Sequence, residues 1–158
     1  AEYIAQVRQA MENHDFLGLR GKILPKDNQN EAAPSHYNLG PYPLPAVLNT
    51  EGNMAIKATA LWQAGGFDSI LFGHEGAELT HRLLHHFPQQ AIYYWPGMVI
   101  YHDFATEHHL EAKRKRQELS VAYLKIVSPG AESLSKAHRD WYKTCPQKES
   151  LLQKGFKT

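Results

Sequence analysis

Glu75, Glu78 and Arg82 fall at i, i+3 and i+7 in the stretch HEGAELTHRL. That spacing places them along one face of a helix. A carboxylate in a first turn is favoured by the helix dipole and by the N–H groups left without intrahelical partners. Glu75 and Glu78 can therefore act as simple caps, with Arg82 pairing to Glu78. The alternative is that Glu75 faces a cleft as a hydrogen-bond acceptor or general base. Gly76 bears on the choice, because glycine costs roughly 1 kcal/mol in a helix interior. A helix that needed only a cap would be better served by another residue there.

His102 is the second candidate. It ends the apolar run MVIY where the chain leaves a strand, and ligands of open α/β sheets gather at such ends. It either closes the core or binds, and Asp103 behind it could orient it or join a metal site. His81, His85 and His86 suggest a metal pair at i, i+4, but zinc needs three or four ligands. The only cysteine is Cys145, and position 78 is Glu where a His-Glu-x-x-His motif needs its second histidine. Solvated surface histidines are the expectation for these three. The basic run Lys113-Arg114-Lys115-Arg116, with Glu107, Glu111 and Glu118 around it, reads as a solvated face with i, i+4 pairs. Phosphate or membrane-surface contact is its alternative. The sequence contains no glycine-rich phosphate loop, no nucleophilic serine elbow and no Asp-x-Asp.

These residues need elements to hold them. Apolar spacing predicts a helix over 2–13, a strand over 16–24 closed by Pro25, and a long loop over 26–46 rich in Pro, Asn, Ser and Gly. Val47-Leu48 reads as a short strand. Residues 54–64 read as a compact helix with Gly65 as its left-handed cap. A second helix spans 75–87, stopped by Pro88. AIYYWPGMVIYH is strand-like on both sides of Trp95-Pro96-Gly97. Thr106 is placed to cap a helix over 107–127 whose apolar stripe is Leu119, Ala122, Tyr123 and Ile126. Ser128-Pro129-Gly130 breaks it, and Leu134, Ala137, His138, Trp141 and Tyr142 mark a last amphipathic helix. Residues 145–158 read as a polar tail. Helices alternate with three or four short strands, which argues an α/β or α+β domain.

The chain has 158 residues, enough for one core, with 42% hydrophobic and 21% charged residues. A formal net charge of +1 gives no reason to invoke nucleic acid. Ten histidines are the one excess, and they make charge sensitive to pH near neutrality. One cysteine excludes an internal disulfide and fits a reducing compartment. A cytoplasmic location is expected, with peripheral membrane contact as an option and no integral membrane segment. The chain starts at Ala1 without Met and reads as a piece of a longer parent.

The ordered set GNMAIKATALWQAGGFDSILFGHEGAELTHRL followed by AIYYWPGMVIYH resembles the C-terminal half of family 2 nucleotide-sugar glycosyltransferases with the GT-A fold. The motifs are Gly52-Asn53, Gly65 to Asp68, Gly73-His74-Glu75, Arg82-Leu83 and Val99 to His102, and the likeness covers about residues 1–105. The resemblance implies an α/β, GT-A-like acceptor-side half with a small mixed sheet, followed by a helical extension over 106–144. It implies transfer of a sugar from a nucleotide-diphosphate donor to a carbohydrate or glycoconjugate acceptor, assisted by Mn or Mg. It implies that Glu75 faces the acceptor as a carboxylate or base and that His102 serves the metal or the diphosphate. Asn53, Asp68, Glu78 and Arg82 would shape or contact the substrate site. Two departures stand out. The family's metal-holding Asp-x-Asp is absent here, together with the nucleotide-binding half, so this chain alone is expected to be inactive. The family's Glu-Asp is Glu75-Gly76, and Gly76 cannot serve as a base. The polypeptide N-acetylgalactosamine transferases also lack that aspartate and carry a second Glu beyond, as Glu78 stands here. Inverting and retaining chemistry both stay open. The alternative is a non-catalytic carbohydrate-binding or interaction module on the same fold, and a histidine-rich metal-binding domain is the third option.

Overall fold

The computed structural model describes residues 2–26, 34–50, 52–103 and 110–144. Thr106 and the 145–158 tail lie outside them. Two long strands carry the architecture. β1 (Phe16–Pro25) and β4 (Ala91–His102) run parallel and side by side. A short β2 (Leu44–Pro45) pairs antiparallel with β4, and β3 (Met54–Ile56) pairs antiparallel with β1, giving the order β2-β4-β1-β3. The first six residues of β1 are all buried, as expected for a strand covered on both faces.

Helix α1 (Glu2–Asn13) covers one face of the sheet; α2 (Ala58–Gln63) and α3 (Glu75–His86) cover the other. A bulge in β1 sorts its side chains between them. Register shifts between Phe16 and Gly18, so Leu17 is the extra residue. Phe16 and Leu19 therefore share the α1 face with Ala10 and Met98, while Leu17 joins Leu79, Leu83 and Ile92 under α2 and α3. Helix α4 (Leu110–Val127) and helix α5 (Pro129–Thr144) follow, and α5 packs on α3.

A second irregularity lies opposite Gly21-Lys22, where β4 loops out between Trp95 and Val99. Asn53 fills it. Its Nδ2 donates to the Lys22 and Met98 carbonyls at 2.8 and 3.0 Å, and its Oδ1 accepts from the Tyr3 hydroxyl at 2.9 Å. The Asn53 carbonyl accepts from Gly21 N at 2.9 Å. One fully buried amide thus ties β1, β4, β3 and α1 together. Gly21 is required by the same packing, since a Cβ there would sit 2.2 Å from the Met98 carbonyl oxygen and 2.4 Å from Asn53 Nδ2.

Several expectations change. The helix over 54–64 is a strand for its first three residues: the β1 edge offers unpaired backbone, and Met54, Ala55 and Ile56 take it opposite Arg20, Leu19 and Gly18. Helix begins only at Ala58. Gly65 does adopt the left-handed conformation, at φ 82°. Val47-Leu48 is buried but unpaired as strand, because Leu48 N donates instead to Thr80 Oγ1 at 2.9 Å. The described part of the long loop is packed: after a 3-10 turn at Ser35–Tyr37, Leu39, Leu44 and Ala46 cluster with Tyr94. Of the stripe expected for α4, Tyr123 packs inward against Leu71, Leu124 and Ala131, and the other three residues are exposed. Leu119 and Ile126 are exposed, while Ser120 and Leu124 are buried, because Ser120 Oγ exchanges hydrogen bonds with the Phe72 backbone and Leu124 packs on Leu71.

Asn53→Ala removes three side-chain hydrogen bonds and strands two buried carbonyls. It is expected to lower unfolding free energy by roughly 2–4 kcal/mol, measured by urea titration, with secondary structure retained in mild conditions.

Candidate functional site

Two consecutive left-handed residues turn the chain into α3. Gly73 has φ 100° and His74 has φ 70°; such a value is uncommon outside glycine and tends to mark functional backbone. Glu75 follows as the first residue of α3. It is half-buried, and its carboxylate has no side-chain partner among the described residues. Gly76 is buried, and its carbonyl accepts from Thr80 Oγ1 at 2.7 Å. The same hydroxyl accepts from Leu48 N. The first turn of α3 is thereby fixed to the 46–50 segment.

Glu78 stands one turn further, 5% exposed, and both of its oxygens are engaged. Arg82 Nε donates to Oε1 at 2.6 Å and Nη2 donates to Oε2, a bidentate pair. Arg82 Nη1 also donates to the Ala64 carbonyl at the end of α2. The Glu78 bond holds the Arg82 guanidinium pKa above its ordinary value. Asp68 closes its own turn by accepting from Ile70 N at 2.9 Å and accepts from the Tyr123 hydroxyl of α4 at 3.0 Å. That bond raises the Tyr123 pKa. Asp68, Glu78 and Arg82 line one open cavity of about 320 Å³ with the Gly65-Gly66-Phe67 turn.

The structure therefore brings Asp68, Glu78 and Arg82 together, with Glu75 at the head of the same helix. It places Asn53 inside the sheet, fully buried. His102 lies at the exposed end of β4, next to Asp103, which pairs with Lys26. Among the described residues no group of three or more His, Cys, Asp or Glu side chains is arranged to hold a metal ion. These residues do not by themselves assemble a Mn or Mg site. His85 and His86 are exposed, but His81 is half-buried and its Nδ1 lies 3.1 Å from Ser128 Oγ.

The sequence reading missed a second set of residues. Arg20 projects from β1 with no exposed surface. Its Nη1 donates to Asn49 Oδ1 and the Val47 carbonyl, and its Nη2 donates to the His36 carbonyl. Beside it lies a cavity of about 340 Å³ between the 34–50 segment and α5, lined also by His36, Asn49, His138, Arg139 and Lys143. A neighbouring cavity of about 430 Å³ shares His36, Asn49 and Arg139 and adds Gly73, His74, Ala77, Arg114 and Ser135. The sequence signals were a charge inside an apolar strand, FLGLRGKIL, and the basic run that holds Arg114. Burial, then the charges of Arg20 and Arg139, push the His36 and His138 imidazoles below the usual histidine range. Burial pushes the Tyr94 phenol up to about 12. His138 Nε2 lies 3.0 Å from the Pro45 carbonyl oxygen, where a neutral ring can donate.

Comparison of the chain with protein-family models, with curated proteins and with solved structures gave no match. The fold is mixed α/β, with a small four-stranded mixed sheet and flanking helices. No helix among the described residues is long and apolar enough to cross a membrane.

Two outcomes follow from the site's electrostatics. Arg82→Met leaves the buried Glu78 carboxylate unpaired and is expected to destabilise by roughly 2–4 kcal/mol, whereas adding Glu78→Gln recovers a large part of that loss; a double-mutant cycle in urea reads both. His36 and His138 bind protons less readily folded than unfolded, so stability is expected to fall as pH drops through about 6.5 and to level off below their folded values. Replacing both with Gln flattens the thermal midpoint across that window.

Proposed function

We propose that this chain is the acceptor-side part of a GT-A-type glycosyltransferase. The ordered motifs support the reading, and the observation that carries it is Glu75: a half-buried carboxylate without a side-chain partner among the described residues, set behind a left-handed Gly73-His74 turn. In the proposed reaction an acceptor hydroxyl gives its proton to the Glu75 carboxylate. The acceptor oxygen then attacks the anomeric carbon, the bond to the diphosphate breaks, and the nucleoside diphosphate leaves with the electron pair. This is the direct, inverting form of transfer. Glu78 is held by Arg82, so it is a poor candidate for the proton acceptor, and the pair instead positions the cavity wall with Asp68. Asn53 acts from the sheet by fixing β1 to β4, whose last residue is His102. His102, at the exposed end of β4, is assigned to the donor's diphosphate. Donor binding and its divalent ion belong, on this reading, to residues beyond those described.

A second reading is a carbohydrate-binding module without turnover. It is favoured by one observation: the position after Glu75 is Gly76, and the next carboxylate, Glu78, is locked in an ion pair. The two readings separate in a transfer assay with nucleotide-sugar donors and an acceptor panel, run on a protein carrying this chain together with a donor-binding half. The transferase reading expects Glu75→Gln to lower turnover by about 10²–10⁴-fold with an unchanged thermal midpoint. Glycan binding with no transfer from the unsubstituted protein would favour the binding module. Transfer unaffected by Glu75→Gln would remove Glu75 from the mechanism.

A further inference from the structure

Several basic groups of this protein pair with carboxylates: Arg8 with Glu12, Lys57 with Asp15, Arg82 with Glu78, Lys125 with Glu132, and Lys143 with Asp140 at 4.0 Å. Around the two cavities beside α5, Arg20, Arg114 and Arg139 come from three elements, and among the described residues no Asp or Glu lines either space. Arg114 and Arg139 have no carboxylate partner among the described residues. Both residues are exposed to solvent, and an anion between them relieves the mutual repulsion of two like charges that line one cavity.

Two independent features point the same way. Ser135 Oγ is buried with no hydrogen-bond partner among the described residues, and Ser135 lines the cavity that Arg114 and Arg139 share. A side-chain rotation would turn that hydroxyl toward an acceptor held in the cavity. The first turn of the 12-residue helix α3 also forms part of the wall, through Gly73, His74 and Ala77, and His74 provides no side-chain cap for its N–H groups.

We propose that this basin is a binding site for a phosphate-bearing small molecule, a phosphomonoester or diphosphate, seated between Arg114 and Arg139 with Ser135 as donor. A carboxylate offers two oxygens and one charge, which one guanidinium fork satisfies. Phosphate offers three oxygens and close to two charges, which suits two separate forks, a hydroxyl and a helix N-terminus. A volume of about 430 Å³ leaves room for more than the anion itself, on the scale of a sugar phosphate. Arg20 lines the adjoining cavity of about 340 Å³, its guanidinium already donating to Asn49 and to the His36 carbonyl. The site stands whether or not the chain supports sugar transfer, because it rests on charge, geometry and an unmatched hydroxyl.

The same chemistry has two sources, a soluble sugar phosphate or the headgroup of a lipid-linked diphosphate. The test is calorimetry of the full chain with pyrophosphate and a hexose 1-phosphate, with a hexuronate and a neutral hexose as controls. Sedimentation with phosphatidylcholine vesicles, with and without an isoprenyl diphosphate, distinguishes the sources. Saturable 1:1 binding of a phosphate probe is expected, weakened about tenfold or more by Arg139→Gln and by Arg114→Gln and less by Arg139→Lys. Ser135→Ala is expected to weaken it several-fold, and the ligand-free variants keep the parent's thermal midpoint or exceed it. Binding only to the diphosphate-bearing vesicles supports the site and assigns the lipid source. The proposal is overturned by absence of saturable binding to every phosphate probe, by equal binding in the arginine variants, or by a hexuronate that binds as well as the phosphate.

Discussion

Burial of the Arg20 guanidinium in the middle of β1 is the constraint to which the rest of the molecule answers. A cation withdrawn from water costs several kcal/mol unless oxygens replace its hydration. Here the His36 and Val47 carbonyls and the Asn49 side chain supply them, and all three belong to the segment 34–50. That segment must therefore fold back across the sheet. Once there, its Leu48 N–H meets Thr80 and fixes the first turn of α3, while Pro45 meets His138 and brings α5 over the same face. The opposite face needs no such device. It is closed by α1 on an apolar cluster and locked by the Asn53 amide.

The sequence carried the elements whose signal is local. The helix heads and stops around α1 and α3, the Gly65 cap and the two long strands were all readable from spacing and from glycine and proline. What escaped was set by partners distant in the chain. Met54–Ile56 has an apolar pattern that suits a helix, and the free edge of β1 makes it a strand. Leu119 and Ile126 give α4 an apolar stripe, yet they are exposed and a polar residue, Ser120, is buried with Leu124, because it satisfies the backbone of Phe72. In the candidate site, Glu75, Glu78, Arg82 and Asp68 were visible as types at a spacing, and the pairing of Glu78 with Arg82 was among the readings. The basin was not visible. Its cations come from α4 and α5, with Arg20 of β1 in the adjoining cavity, and nothing local in a strand or an amphipathic helix says that these arginines will face neighbouring spaces. Lys113 to Arg116 raised phosphate contact only as an alternative. The structure divides that run between uses: Arg114 lines the basin, and Arg116 lies 4.4 Å over the Phe72 ring.

The two functional features share a boundary. The turn Gly73-His74 forms part of the basin wall, and Glu75 is the next residue. Gly76, awkward as a helix residue, lies buried with its carbonyl bonded to Thr80, in the turn that joins α3 to the 46–50 segment. A carboxylate at the head of α3 beside a cationic basin suits an acceptor that presents a hydroxyl and carries a phosphate. This juxtaposition joins the transferase reading to the anion site without making either depend on the other.

The most direct test of a single ligand basin between α3, α4 and α5 is a crystal structure of the chain soaked in tungstate, a heavy stand-in for phosphate. The account predicts one strong anomalous peak within hydrogen-bonding reach of Arg139, Arg114 and Ser135, and its loss in Arg139→Gln crystals. A peak confined to other surface lysines, or an empty basin at tungstate concentrations that saturate binding in solution, would contradict it.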